Sequence, residues 1–139
     1  MSSNAGHKPK VLIVDDKGFN ISLLTSLLRD QYRLMVATSG REALRAAAVV
    51  PPPELILLDV LMPDIDGFEV CRQLKQDPLT QAIPVVFCSS LDGNEDRAKG
   101  LAAGAVDFIH KPFVSADVLA CLRRHLGVRP AAVSAVAGR

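Results

Sequence analysis

The chain has 139 residues, enough for one compact domain and too few for two ordinary ones. Hydrophobic residues make up 49% and charged residues 22%, which excludes a disordered or low-complexity chain and calls for a buried core. Sixteen Lys+Arg against fifteen Asp+Glu leave a net charge of +1, so the total gives no reason to bind nucleic acid or an acidic membrane.

The first apolar run, residues 11–14, is followed by the tandem acids Asp15 and Asp16 and then by an apolar stripe, Ile21, Leu24 and Leu28, with Leu23 and Leu27 beside it. A less pure run at 34–37 leads into a capping box, Ser39 and Glu42, and a second helix with Ala43, Leu44, Ala47 and Ala48 on one side. Pro51, Pro52 and Pro53 must end that helix. The run 55–58 ends at Asp59, and behind the Asp66-Gly67 turn comes a helix with Phe68, Cys71 and Leu74 inward. Run 85–88 is followed by Ser89 and Ser90, then by a short, weak helix with the stripe Ala98, Leu101 and Ala102. Run 106–109, interrupted by Asp107, precedes His110, Lys111 and a last helix with Val118, Leu122 and Leu126.

Short runs that are apolar throughout are how strands read when a parallel sheet is covered on both faces. Five strand–helix units in a row predict an α/β fold: a flavodoxin-like, doubly wound (βα)5 domain. Right-handed crossovers favour a five-stranded parallel sheet of order 2-1-3-4-5. The two less pure runs belong at its edges. Residues 9–126 form the expected domain, with 1–8 a flexible leader and 127–139 a flexible tail or the start of a linker.

Cys71, Cys88 and Cys121 lack a C-x-x-C spacing and read as small buried hydrophobes in a reducing compartment. No run reaches the roughly 18 apolar residues of a membrane span, and the N-terminus lacks the apolar stretch of a signal peptide. A soluble cytoplasmic domain without direct membrane or nucleic-acid contact is expected. Arg123, Arg124 and His125 read as a solvated helix face, His110 as solvent-facing, His7 as inert and Asn20 as a polar residue at a helix start.

In an open α/β sheet, ligands bind outside the carboxyl ends of the strands. Asp15, Asp16, Asp59, Ser89 and Lys111 all fall there. Three neighbouring carboxylates repel one another unless a cation sits among them, and an all-oxygen set suits Mg²⁺. Lys111 adds a point charge for an anion and Ser89 a hydroxyl, so the group reads as a site for handling a phosphoryl group. Asp59, alone on the central strand, is the expected nucleophile. Of the tandem acids, one binds metal directly and the other through water.

The segments Val11-Leu-Ile-Val-Asp-Asp16, Leu57-Leu-Asp-Val-Leu-Met-Pro-Asp-Ile-Asp-Gly67 and Gly104-Ala-Val-Asp-Phe-Ile-His-Lys-Pro-Phe113 resemble the receiver domain of two-component response regulators, the CheY-like family. The resemblance runs from about Lys10 to Leu126. It implies that Asp59 is the phosphoacceptor and that Asp16, Asp59 and the Leu61 backbone carbonyl ligate Mg²⁺, with Asp15 acting through water. It further implies that Ser89 is the switch hydroxyl, Lys111 the invariant lysine with a cis bond to Pro112, and Phe108 the aromatic switch. Leu61 and Leu91 match positions where polar residues help place an attacking water; both are apolar here, which implies slow loss of the phosphoryl group.

The function expected is therefore a phosphorylation-activated signalling switch rather than a turnover enzyme, catalysing only its own phosphoryl transfer and slow dephosphorylation. A histidine kinase or phosphotransfer protein is the expected donor. Its readers are an output domain missing from this chain or a phosphorylation-dependent homodimer. The alternative is a haloacid-dehalogenase-like Mg²⁺-dependent phosphatase. That chemistry commonly wants a second Asp two residues after the nucleophile, where this chain has Leu61.

Overall fold

The computed structural model describes residues 8–90 and 94–127. Apart from Lys8 and Gly127, the expected leader and tail lie outside the described residues, as do His7 and Leu91. Five strands, β1 (Lys10–Val14), β2 (Arg33–Ala37), β3 (Leu55–Asp59), β4 (Val85–Ser89) and β5 (Asp107–His110), alternate with five helices. These are α1 (Gly18–Leu28), α2 (Gly40–Ala47), α3 (Gly67–Gln76), α4 (Asn94–Ala103) and α5 (Ser115–Leu126). All pairings are parallel and the order is β2-β1-β3-β4-β5, the doubly wound order expected from the sequence.

The sheet separates two apolar layers. On one face Leu12, Val14, Ile56, Leu58, Val85 and Phe87 meet Ala43 and Ala47 of α2 and Phe68, Val70, Cys71 and Leu74 of α3. On the other, Val11, Ile13, Leu55, Leu57, Val86 and Cys88 meet Leu24 and Leu28 of α1 and Val118, Cys121, Leu122 and Leu126 of α5. Burial of a Leu, Ile or Val side chain contributes about 1.5–3 kcal/mol. Strands β3 and β4 are buried at every position, which explains why they are apolar up to their last residues while the edge strands are not.

Helix starts follow local hydrogen bonding. Ser39 caps α2 by accepting from the Glu42 N–H, and the Glu42 carboxylate returns to the Thr38 N–H. Asp66 caps α3 through the Glu69 N–H at 2.9 Å.

Two expectations from helical spacing need correction. Ala98, Leu101 and Ala102 do not form the inner stripe of α4; all three are exposed, and Gly100 and Ala103 face inward. The Phe108 ring occupies that space: a Cβ on Gly100 would lie 2.3 Å from Phe108 Cζ. The helix must present its smallest residues there, whatever the hydropathy of its other faces. His125 is the second correction, being half-buried against Asp107 rather than on the solvated face. His110 is exposed, as expected.

Candidate functional site

The strands extend one residue beyond their apolar runs, so Asp59 and Ser89 are the final residues of β3 and β4. Both are nearly inaccessible, at 5% and 4%, and Asp15 just beyond β1 is at 1%. The register places Asp59 opposite Cys88, one residue before Ser89, and the Ser89 carbonyl accepts the Lys111 N–H at 2.8 Å. The Lys111–Pro112 peptide is cis, as is Val50–Pro51.

Lys111 lies between two carboxylates. Its Nζ is 3.1 Å from Asp15 Oδ2 and 3.0 Å from Asp59 Oδ1. Asp15 is fixed further by the Lys17 N–H on Oδ1 at 2.9 Å and the Asn20 amide on Oδ2 at 3.2 Å. Asp16 is more open and faces the exposed Lys17 ammonium at 3.5 Å. Burial raises the Asp59 pKa above the ordinary carboxylate value despite the Lys111 hydrogen bond, and the nearby Asp15 charge raises it further. Burial pulls Lys111 down, but its bonds to Asp59 and Asp15 outweigh that and hold its pKa above the usual lysine value.

Oxygen atoms of Asp15, Asp16 and Asp59 lie within 4.8 Å of one another. Three carboxylates, all oxygen donors, against one half-buried ammonium form a set that fits a hard divalent cation such as Mg²⁺. The Leu61 side chain points outward, 59% exposed, so any contribution from this residue to an ion comes from its backbone.

The loop carrying Leu61 is clasped from the side. Asp64 accepts the N–H groups of Gly40 and Arg41 at the start of α2, both at 2.9 Å. The Arg41 and Gly40 N–H groups lower its pKa to about 2. Phe108 is half-buried; its ring centroid is 5.6 Å from that of Phe87, and the Arg97 guanidinium stands 5.2 Å above it. The cysteines are buried and free. Desolvation pushes Cys71 up to about 11 and Cys121 up to about 12, and raises Cys88 as well.

The family model of the response regulator receiver domain matches residues 11–123. The chain belongs to that family. The receiver domain is 46% identical to the response regulator PleD of Caulobacter vibrioides over 115 residues, 82% of this chain and 25% of that protein. It thus spans about a quarter of that relative's length. A putative response regulator from Chloroflexus aurantiacus superposes with a TM-score of 0.82 at 31% identity, covering 88% of this chain and 100% of the other. The receiver domain of the sensor histidine kinase PA1611 from Pseudomonas aeruginosa, described with a magnesium ion coordinated in its active-site cleft, gives 0.78 at 28%, with 88% and 100% covered. The phosphatase alternative finds no support in these relationships.

The rim therefore brings Asp15, Asp16, Asp59 and Lys111 together, with Ser89 at the adjacent strand end. Phe108 lies back from the rim, two residues before the end of β5 and on its α4 side. Sequence reasoning missed Asn20 and Asp64 as supports of the receiver site. Asn20 lies five residues beyond Asp15, where one turn into α1 returns its amide to the rim. Asp64 reaches a helix 24 residues away in sequence, and no local pattern announces that contact.

Proposed function

We propose that Asp59 of this receiver domain accepts a phosphoryl group from a histidine kinase or phosphotransfer domain. The observation that carries the reading is the Lys111 ammonium held between two buried carboxylates, one at the end of the central strand. Lys111 holds Oδ1 of Asp59, so Oδ2 is assigned as the attacking oxygen. It forms the new O–P bond as the P–N bond to the donor histidine breaks. The bonding pair leaves with the imidazole nitrogen, which takes its proton from solvent. As charge builds on the phosphoryl oxygens, the Lys111 ammonium, already held beside Asp59, donates to them from a site where it is preorganised. Asp16, Asp59 and the Leu61 carbonyl would hold a resident Mg²⁺, with Asp15 acting through water, and the bound ion would supply further neutralisation of that charge.

The added phosphate places new acceptor oxygens beside Ser89, and we assign Ser89 and Phe108 as the switch pair that reports them. Phe108 carries the signal because its ring already fixes which residues α4 can present inward. Readers of that change are an output domain of a cytoplasmic signalling protein or a second copy of the chain. Residues 9–126 suffice for the switch, with 1–8 and 127–139 outside it. Leu61 and Leu91 offer no side-chain group to orient water, so the phosphorylated state hydrolyses slowly.

Intact-mass measurement after mixing with acetyl phosphate tests this directly. One phosphoryl group should appear only when Mg²⁺ is present and persist well beyond seconds after the donor is removed. Uptake without Mg²⁺, or loss within seconds, contradicts the metal and lifetime assignments respectively. No uptake at all contradicts the function.

A further inference from the structure

Away from the phosphate rim, β5 and α5 gather a second group of ligating side chains. Asp107 opens β5, and its Oδ1 accepts the Phe108 N–H at 2.8 Å. Its Oδ2 is met by Arg124, by His125 Nε2 at 2.9 Å and by Cys121 Sγ at 3.6 Å. Cys121 and His125 are four residues apart on α5 and so share one face, with Asp117 one turn earlier. A cleft of about 420 Å³ lined by Asp107, His110, Asp117 and Cys121 opens beside them.

We propose that Asp107, Cys121 and His125 bind one Zn²⁺-class cation, joining α5 to the edge strand β5. Their ligating atoms already lie within 4.8 Å of one another. Around four-coordinate zinc, with bonds of about 2.0–2.3 Å, tetrahedral geometry sets neighbouring ligand atoms roughly 3.3–3.8 Å apart. The separations of 2.9 Å and 3.6 Å from Asp107 Oδ2 lie within fractions of an ångström of that spacing. One sulfur, one imidazole nitrogen and one carboxylate oxygen select zinc over magnesium, whose preference is for oxygen alone. The rim and this cluster therefore discriminate between cations by donor chemistry.

Each existing contact has a defined fate. The Cys121 thiol proton goes to solvent as sulfur bonds the metal, which deprotonates a coordinating thiol outright. His125 binds through Nε2 as neutral imidazole, its remaining proton on Nδ1. Arg124 leaves Oδ2; its side chain is 59% exposed, so its guanidinium turns to solvent when the metal takes its place. The cleft gives the buried sulfur an approach and leaves a fourth position for water or for Asp117. No C-x-x-C spacing marks such a site, because one ligand comes from a different element.

The test uses the full chain stripped of metal with a chelator and titrated with Co²⁺ as the spectroscopic probe, then with Zn²⁺. The expected result is a thiolate-to-cobalt charge-transfer band saturating at one equivalent and abolished by one equivalent of Zn²⁺. Cys121→Ser should lose the band, while Cys88→Ser and Asp59→Asn keep it. His125→Gln should weaken Zn²⁺ binding at least about tenfold, since even outer-shell changes cost 10–100-fold. Absence of the band in the wild type, its survival in Cys121→Ser, or unchanged affinity in His125→Gln overturns the proposal. Circular dichroism of each variant separates ligand loss from unfolding; if Cys121→Ser fails to fold, the weakened binding of His125→Gln together with an intact band in Cys88→Ser carries the test.

Discussion

Lys111→Met is expected to slow phosphoryl uptake from acetyl phosphate by about 10²–10³-fold, the usual cost of removing one preorganised donor from a transition-state site. The same change should also destabilise the fold. Lys111 is the ammonium shared by Asp15 and Asp59, whose side chains are only 2% and 6% exposed. Removing one member of a buried pair costs about 3–5 kcal/mol, because a charge is left desolvated and unpaired. Without the ammonium, the Asp59 pKa rises further above its already raised position. A carboxyl group that binds its proton more tightly in the folded state imposes no penalty below the unfolded value of 3.8. The penalty then grows as pH rises through the folded pKa. Denaturant midpoints for Lys111→Met should therefore approach those of the wild type at acid pH and fall behind toward neutrality. Added Mg²⁺ should recover part of the loss. Wild-type midpoints at every pH would contradict this assignment of charge.

Gly67→Ala is expected to damage the site through the backbone. Gly67 begins α3 behind the Asp66 cap, and its N–H donates to the Val60 carbonyl at 2.7 Å. A Cβ there would lie 2.3 Å from the Asp59 carbonyl oxygen and 3.0 Å from Val60 Cα. Neither neighbour is the flexible end of a side chain, so relief requires displacement of the strand end that carries Asp59. Overpacking of this kind costs about 1–3 kcal/mol. A displacement of about 1 Å at a reacting group costs on the order of 10²-fold in rate. Gly18→Ala is the control, since nothing lies within 4 Å of its Cβ position. Equal uptake rates and equal stabilities for the two variants would contradict the close-approach argument.

The strand order and the rim were legible because a parallel sheet writes both in one dimension. Strands β3 and β4 are buried on both faces, so they are apolar until the last residue, and that first polar residue marks the carboxyl end where ligands bind. Asp59 and Ser89 were found by that punctuation. The face of α4 was not legible. Its inward residues are Gly100 and Ala103 because Phe108 fills the space opposite, a constraint written in another element. His125 read as part of a solvated run for the same reason. Its partner, Asp107, interrupts an edge strand 18 residues away. Asp64 and Asn20 likewise support the rim through contacts that hydrophobic periodicity does not encode.

The most direct measurement is chemical mapping of the phosphorylated residue. The chain is charged with acetyl phosphate and Mg²⁺ and reduced with borohydride, which converts an aspartyl phosphate to homoserine. Peptide sequencing by mass spectrometry then locates the change. The expected result is homoserine at position 59 alone, and none in Asp59→Ala. Homoserine at position 15 or 16 in the wild type, or phosphate retained on Ser89, would contradict the assignment of Asp59 as the acceptor.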